Sequence, residues 1–260
     1  WLKPFGLKQL AKTCCSSAPP PTRGSRGLEM ASSRTEHNPA AEVLSSPGIT
    51  MLLSIIRDKN TCQKDYVSAS DRLMSILAEE GLARFATETT IETPCGTCSG
   101  LRPHDSHNIC CVDIVRSGAI LLEAVRKVCP DSKTAKILIQ RDEETALPKL
   151  FYHKLPPKIE HMAVLLCDPM LATGGSALQA INVLKEAGVN EQAIIFLNVI
   201  SCPEGLKALA EKVPAVRILT TALDSHLNEK KFIVPGVGDF GDRYYGTFGY
   251  EEGLWGVDGK

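Results

Sequence analysis

Short apolar runs alternate with amphipathic segments along the second half of the chain. The runs with the length and texture of buried strands are residues 110–115, 135–139, 163–167, 193–200 and 216–221. Segments with helical periodicity lie between several of these runs, at residues 119–128, 177–187 and 204–212. Strands joined by helices predict an α/β fold with a mostly parallel, doubly wound sheet. Ligands bind such sheets beyond the carboxyl ends of the strands, so functional side chains are expected directly after each strand.

The first part of the chain shows a different pattern. Residues 1–47 combine Ser, Pro and Gly with scattered basic residues and no apolar period, which predicts a disordered tail before a single folded domain at residues 48–260. Residues 51–57 are apolar and predict a short helix or strand. Beyond them, Ser68 or Ser70 is a candidate N-cap for a helix with apolar residues at helical spacing up to Leu82.

Composition narrows the class of protein. The formal net charge of −1 over 260 residues, with no basic face, argues against nucleic-acid binding, and no apolar run is long enough to cross a bilayer. The 10 cysteines are scattered, as expected for reduced thiols in a cytoplasmic protein. Cys95 and Cys98 have the spacing of a redox dithiol or half a zinc site, but no second such pair exists and the pair lies in a turn-like stretch, so a redox or metal function is disfavoured and no metal site is predicted.

The strand at residues 163–167 leads into the most informative stretch of the chain. A lone carboxylate, Asp168, is followed by a small-residue loop, residues 172–176, and then by a predicted helix. Glycines let the backbone approach an anion closely, and the first N–H groups of a helix favour negative charge. Thr173 and Ser176 add hydroxyl donors, while Asp168 suits sugar hydroxyls or a neighbouring metal. An isolated Thr-Gly-Gly is usually only a tight turn, but here strand, acid and helix all lie where a phosphate site needs them.

Cations follow two further strands. Arg116 and the permissive Gly118 come after the strand at residues 110–115, and Arg141 begins a charged loop after the strand at residues 135–139. Either arginine alone is compatible with a solvated surface charge. Their matching positions at strand ends favour a polyanion site between them. Asp113, just before the first of these strand ends, has no evident role in the sequence.

Residues 232–247 carry four glycines between positions 236 and 246, which argues against a helix, and Pro235 argues against a central strand. Two interpretations remain open for this loop. It either closes the edge of the sheet as a structural Ω-loop, or it presents backbone donors and acceptors to a flat heterocyclic base.

Several stretches resemble the uracil phosphoribosyltransferase family. The sequence DPMLATGGS at residues 168–176 is similar to its phosphoribosyl diphosphate loop, with Pro169 in place of the second acid that related transferases carry. QRDEETALPKLFY at residues 140–152, the segment at residues 54–82 and the glycine-rich residues 232–247 are also similar to the family. The resemblance implies a type I phosphoribosyltransferase fold with a small C-terminal base-binding hood, and the conversion of uracil and phosphoribosyl diphosphate to UMP and pyrophosphate in pyrimidine salvage.

The resemblance also implies residue roles. Asp168, Arg141 and Asp239 are the implied catalytic residues. The implied contacts to phosphoribosyl diphosphate are Arg116, Arg141, Asp168, Pro169, Met170, Leu171, Ala172, Thr173, Gly174, Gly175, Ser176 and Asp239. The implied contacts to uracil are Ile233, Gly238, Asp239 and Phe240.

Mg²⁺ bound to the substrate, a GTP effector and a homodimer or homotetramer are likewise implied by the family. One arginine typical of the family's N-terminal part is replaced here by Gln63-Lys64, which argues against GTP activation, whereas Arg72 matches. Two alternative functions are compatible with the same fold. A purine transferase on the same fold is disfavoured by the single acid before Pro169, and a non-catalytic nucleotide-binding regulator is disfavoured by the intact Asp168, Arg141 and loop glycines.

Overall fold

The computed structural model describes residues 31–141 and 148–247. The strands in these ranges are β1 (Ala31–Thr35), β2 (Asn38–Ser45), β3 (Thr87–Thr93), β4 (Gly96–Arg102), β5 (Ile109–Val115), β6 (Lys133–Arg141), β7 (Pro148–Lys154), β8 (Ala163–Cys167), β9 (Met170–Leu171), β10 (Ile194–Ser201), β11 (Arg217–Leu223), β12 (His226–Leu227) and β13 (Ile233–Val234). The α-helices are α1 (Pro47–Arg57), α2 (Gln63–Ala83), α3 (Gly118–Val128), α4 (Gly175–Glu186), α5 (Pro203–Lys212) and α6 (Phe240–Tyr245).

A nine-stranded sheet forms the centre of the molecule, in the order β1-β2-β11-β10-β8-β5-β6-β7, with β9 pairing beside β10. The strands from β2 to β6 in this order are parallel, and β1 and β7 add antiparallel edges. The five central strands coincide with the five apolar runs in the sequence, so the predicted α/β fold with a mostly parallel sheet is confirmed.

Helices cover both faces of this sheet. Helices α1, α2 and α3 contribute buried residues to one apolar cluster, which includes Leu73 and Leu121, and α4 and α5 contribute to the other, which includes Ile181 and Leu206. Side chains of β10 alternate between the two clusters, as Phe196 and Leu197 show, because successive residues of a strand point to opposite faces. The doubly wound arrangement follows from this two-sided burial.

The interpretation of residues 1–47 as a disordered tail is wrong for residues 31–45, which form β1 and β2. Strand β2 pairs in parallel with β11, and its Ala41 and Leu44 are buried. Its buried positions, which begin at Asn38, are three residues apart rather than two, so it lacks the alternation by which a half-buried strand is recognised. Residues 1–30 lie outside the described part of the chain.

Helices α1 and α2 both begin earlier than the sequence pattern predicts. Residues 51–57 belong to α1, which begins at Pro47 with the Ser46 side chain accepting a hydrogen bond from the Ile49 N–H at 3.2 Å. Helix α2 begins at Gln63, so Ser68 and Ser70 lie inside it and the N-cap prediction was wrong. The polar residues of its first turn concealed this earlier start.

Asp113 has a partner on the neighbouring strand. Its side chain is fully buried in β5, and the Lys136 ammonium on β6 contacts its two carboxylate oxygens at 3.0 and 3.1 Å. Burial raises the pKa of Asp113, and the adjacent ammonium opposes that rise. The pair stands at matched register, so the unexplained acid is an interstrand ion pair.

Strands β3 and β4 form a separate two-stranded hairpin, which the sequence analysis did not predict. Its side chains are mostly exposed, including Ile91 and Leu101, and Cys95 and Cys98 lie at or near its turn. Strands that bury neither face carry no hydrophobic alternation, which explains the omission.

Candidate active site

The strand order reverses between β5 and β8, because the chain continues from β5 to β6 on one side and from β8 to β10 on the other. Such a reversal opens a crevice beyond the carboxyl ends of the two strands. The residues that follow these strands meet there: the Ser117 hydroxyl donates to an Asp168 carboxylate oxygen at 3.4 Å. The peptide bond between Val115 and Arg116 at the end of β5 is cis.

The loop after β8 is held against the sheet before α4 begins. The Pro169 carbonyl accepts hydrogen bonds from the Val199 and Ile200 N–H groups at 2.8 and 3.0 Å, and Met170–Leu171 form β9. Gly174 then takes the left-handed conformation, with φ of 82°, as the N-cap of α4. The Thr173 hydroxyl accepts from the Gly175 N–H at 3.5 Å. The loop therefore presents the amino terminus of α4 to the crevice.

A close contact at Gly118 sets the distance between α3 and β8. A Cβ atom at Gly118 would lie 2.3 Å from the Cys167 carbonyl oxygen, which is backbone and has little room to move. We expect Gly118→Ala to lower the free energy of unfolding by about 2 kcal/mol through overpacking. Chemical denaturation measures this change.

Gly48→Ala is the matched control, since Gly48 is also in the first turn of a helix. The nearest atom to its added Cβ, the Ser46 Oγ, is 3.7 Å away. Its free energy of unfolding should stay the same or rise by up to about 1 kcal/mol, because alanine favours helix over glycine. Equal losses in the two variants would contradict a specific role for the contact at Gly118.

A C-terminal hood, formed by β12, β13 and α6, covers the crevice. The expectation that the glycines of this stretch exclude a helix was wrong, because α6 spans Phe240–Tyr245. Gly236 and Gly238 precede the helix, and Gly246 ends it with φ of 70°. Helices tolerate glycine best at their ends, where the left-handed conformation terminates them. Pro235 follows β13 and is joined to Val234 by a cis peptide bond.

Asp239 is the N-cap of α6. Its carboxylate accepts a hydrogen bond from the Asp242 N–H at 2.8 Å and is 48% exposed. The Arg116 guanidinium reaches this helix from β5, at 2.5 Å from an Asp242 oxygen and 3.7 Å from an Asp239 oxygen. The hydrogen bond to Asp242 raises the pKa of Arg116, which therefore stays cationic. The half-exposed cation and both acids thus stand at the margin of the crevice.

Most of the predicted site residues line one cleft of about 380 Å³. These are Asp168, Met170, Leu171, Ala172, Thr173, Gly174, Gly175, Ser176, Ile233, Gly238, Asp239 and Phe240. Arg116 lines an adjoining cleft of about 560 Å³ that shares Ser117, Asp239 and Gly241 with the first. Pro169 is buried behind the loop. Arg141 ends β6, and its side chain, like residues 142–147, lies outside what the structure describes.

The sequence profile of the family described as "Uracil phosphoribosyltransferase" matches residues 43–247. The chain belongs to the uracil phosphoribosyltransferase family. A protein of Dictyostelium discoideum named as a uracil phosphoribosyltransferase is 51% identical over 197 residues, which cover 75% of this chain and 91% of the relative. One of Saccharomyces cerevisiae with the same name is 48% identical over 194 residues, covering 75% and 90%. A solved protein of Aquifex aeolicus superposes with a TM-score of 0.70 at 31% identity, covering 81% of this chain and all of the other.

Six residues line the cleft of this uracil phosphoribosyltransferase family member without being among the predicted site residues: Ser117, Ala177, Lys230, Lys231, Phe232 and Gly241. The position of Ser117 directly after Arg116 was the available signal for one of them. Lys231 has φ of 66°, a conformation rare outside glycine, and its N–H donates to the Asn228 carbonyl at 2.9 Å. Lys230 and Lys231 lie in that turn and line the same cleft as the loop of residues 172–176, and composition alone does not reveal this.

The protein groups available to a metal are few. Within residues 31–141 and 148–247, no three His, Cys, Asp or Glu side chains come together as a metal cluster. Asp168 and Asp239 supply oxygen atoms to the same cleft, and oxygen is the ligand type that Mg²⁺ prefers. This donor set fits an ion held chiefly by the oxygens of a bound substrate and by water.

Proposed function

We propose that this protein transfers the phosphoribosyl group of phosphoribosyl diphosphate to uracil, giving UMP and pyrophosphate. The observation that carries the proposal is a shared cleft. The loop at Thr173–Ser176 forms one part of its wall, and the hood residues Gly238–Phe240 form another. A phosphate site and a base site in one cleft are what a nucleotide-forming transferase needs.

The loop before α4 is proposed to bind the 5′-phosphate. Gly174 and Gly175 carry no side chain that could keep an anion from the backbone, and the start of α4 offers N–H groups and a favourable dipole. The Thr173 and Ser176 hydroxyls add donors. Asp168, half-buried beside the Ser117 hydroxyl, is proposed to accept hydrogen bonds from the ribose and to offset positive charge that develops on the ring.

Arg116 and Arg141 are proposed to stabilise the pyrophosphate as its bond to the anomeric carbon breaks. A guanidinium donates two parallel hydrogen bonds to phosphate oxygens, which an ammonium group cannot reproduce. Arg116 and Ser117 line the adjoining cleft, which supports a proposed position for the leaving group between that cleft and the loop before α4. Mg²⁺ bound to the substrate would neutralise further negative charge there.

The hood is proposed to bind uracil, through the backbone at Gly238 and through Ile233 and Phe240. Asp239 faces the same cleft, and we propose that it orients the base and assists loss of the N1 proton. The new bond joins N1 to the anomeric carbon as pyrophosphate leaves with the electrons of the broken C–O bond.

The test is a product assay on the full chain with phosphoribosyl diphosphate and Mg²⁺. Uracil, cytosine, hypoxanthine and adenine are supplied separately, and nucleotide formation is followed by chromatography. UMP should form with uracil, and the other three bases should give little product. UMP binding without UMP formation would instead indicate a nucleotide-binding regulator, and a purine nucleotide as main product would move the protein to another substrate class.

Three finer features are also proposed: a homo-oligomer, a GTP effector and a cytoplasmic location. Homodimers or homotetramers rest on the resemblance to the family, and size-exclusion chromatography with light scattering tests this. A GTP effector rests on the resemblance at residues 54–82, and the assay with and without GTP tests it. Gln63, which with Lys64 stands in place of the family's arginine, donates to the Tyr244 carbonyl at 3.0 Å.

A cytoplasmic location is supported by eight free cysteines among the described residues. Burial raises the pKa of Cys111 to about 11 and that of Cys110 to about 12, so both stay protonated and unreactive in the core. None of the helices in the described ranges has the length and hydropathy needed to span a membrane.

A further inference from the structure

The loop between β13 and α6, residues 235–239, lines the cleft with Gly238 and Asp239. We call it the hood loop. Two arginines that lie outside the cleft hold this loop from behind. Arg57 is the last residue of α1, and Arg243 lies in α6. The two side chains cross in opposite directions: Arg57 reaches from α1 to the hood loop, and Arg243 reaches from the hood back to α1. We call Arg57 and Arg243 the arginine pair.

Arg57 and Asp224 hold the peptide groups of Gly236. The guanidinium contacts both Asp224 oxygens, at 2.6 and 2.9 Å, and donates to the Gly236 carbonyl at 3.0 Å. The Gly236 N–H in turn donates to Asp224 at 2.8 Å. The Asp224 side chain is only 5% exposed, so this ion pair is largely removed from solvent. One bidentate ion pair therefore fixes both the donor and the acceptor of a single loop residue.

Arg243 holds the next residue of the loop. Its guanidinium donates to the Val237 carbonyl at 3.1 Å, to the Ile56 carbonyl and to the Asp58 carbonyl at 2.7 Å. The side chain is buried and lies over the Tyr66 ring, 4.3 Å from its centroid. These bonds satisfy carbonyls at the end of α1 that have no partner within the helix. Val237 is thus tied to the same helix end as Gly236.

The tied residues directly precede those that line the cleft. Gly238, Asp239 and Phe240 follow without a break, and the Tyr66 ring that contacts Arg243 also packs edge-on against Phe240 at 5.5 Å. A loop that binds a base through backbone groups needs its peptide planes fixed to a fraction of an ångström. Release of Gly236 or Val237 would shift those planes while leaving the loop before α4 in place.

We propose that the arginine pair positions the base-contacting backbone of the hood, so that α1 influences the affinity and discrimination for the base far more than the affinity for phosphoribosyl diphosphate. The proposal rests on the proposed function for its ligand. Arg57, Arg243 and Asp224 are positioning residues, since they act through Gly236 and Val237.

The test compares Arg57→Gln with Arg84→Gln. Arg84 is a matched control because it also lies at a helix end, is ion-paired to Glu42 and Glu80 at 3.0 and 2.9 Å, and is equally exposed, but its partners belong to β2 and α2 rather than to the hood. We expect Arg57→Gln to raise the KM for uracil about tenfold and to leave the KM for phosphoribosyl diphosphate within about twofold. Asp224→Asn, which keeps an acceptor for the Gly236 N–H, should have a smaller effect of the same kind. Arg84→Gln should change neither KM.

A second readout does not depend on activity. Hydrogen exchange of the peptide containing residues 233–240 should be faster in Arg57→Gln than in the parent, while exchange in α4 stays the same. If the parent forms no UMP, the proposed function fails and this exchange difference still decides the positioning role. Equal KM changes in the Arg57 and Arg84 variants, or unchanged exchange at residues 233–240, would overturn the proposal.

Discussion

Asp239→Asn should lower the turnover number for UMP formation about 100-fold, with the KM for both substrates changed only a few-fold. Asn is as good an N-cap as Asp, so α6 and its hydrogen bond to the Asp242 N–H are expected to persist. What the substitution removes is the negative charge that faces the cleft. Steady-state kinetics with uracil as the varied substrate measure the effect.

Asp239→Ala separates the two roles of this residue. It removes the charge and the cap together, so the turnover number should fall as in the Asn variant, and the free energy of unfolding should fall by about 1 kcal/mol as well. The Asn variant should unfold like the parent. If the Asn variant retained full turnover and only the Ala variant lost it, Asp239 would act through the helix cap rather than through its charge.

Arg116→Gln should lower kcat/KM for phosphoribosyl diphosphate roughly 10²- to 10³-fold, because it removes the cation that we propose stabilises the departing pyrophosphate. Arg116→Lys should recover little of this, since an ammonium lacks the two-pronged geometry of the guanidinium. Initial rates at varied phosphoribosyl diphosphate and saturating uracil measure both variants. The uracil KM is the internal comparison and should change little.

Asp242, the carboxylate bound to Arg116 in this structure, provides a control in which affinity for phosphoribosyl diphosphate is expected to rise rather than fall. Arg116 is bound to Asp242, so under the proposed function the pyrophosphate group of the substrate competes with that carboxylate for the guanidinium. Asp242→Asn weakens the competitor and should lower the KM for phosphoribosyl diphosphate by a small factor. A rise in this KM comparable to that in Arg116→Gln would mean that the ion pair, rather than the free guanidinium, is needed for binding.

The central strands were predictable because they are buried on both faces. Strand β8, for example, is a continuous apolar run whose last four residues are buried, and the sequence bounds match the observed Ala163–Cys167. The strands that were missed carry no such signal. Strand β3, with the sequence TETTIET, is mostly exposed, and it forms through backbone pairing with β4 that no side-chain pattern reports.

The same contrast holds at the candidate site. Residues adjacent along the chain, such as those from Asp168 to Ser176, could be found together because strand, loop and helix follow one another. The support behind the hood could not be found in this way. Arg57 and Asp224 are 167 positions apart, and Arg243 and Ile56 are 187 apart, so their pairing depends on how α1 packs under the hood. Helix α6 was missed because its sequence is rich in glycine, which generally indicates a loop. In α6 the glycines lie at or near the two ends, where helices tolerate them.

The position of strand β2 in the sheet determines where a recombinant version of the protein can begin. A truncated protein that begins at Met51 would lack β2. Strand β11 would then be the edge strand of the parallel sheet, and its backbone groups at residues 218–220 would lose their pairing partner. An uncovered apolar border of this kind recruits strands from other chains. Recombinant expression starting before Ala31 should therefore give monodisperse material, whereas the shorter version should accumulate in inclusion bodies.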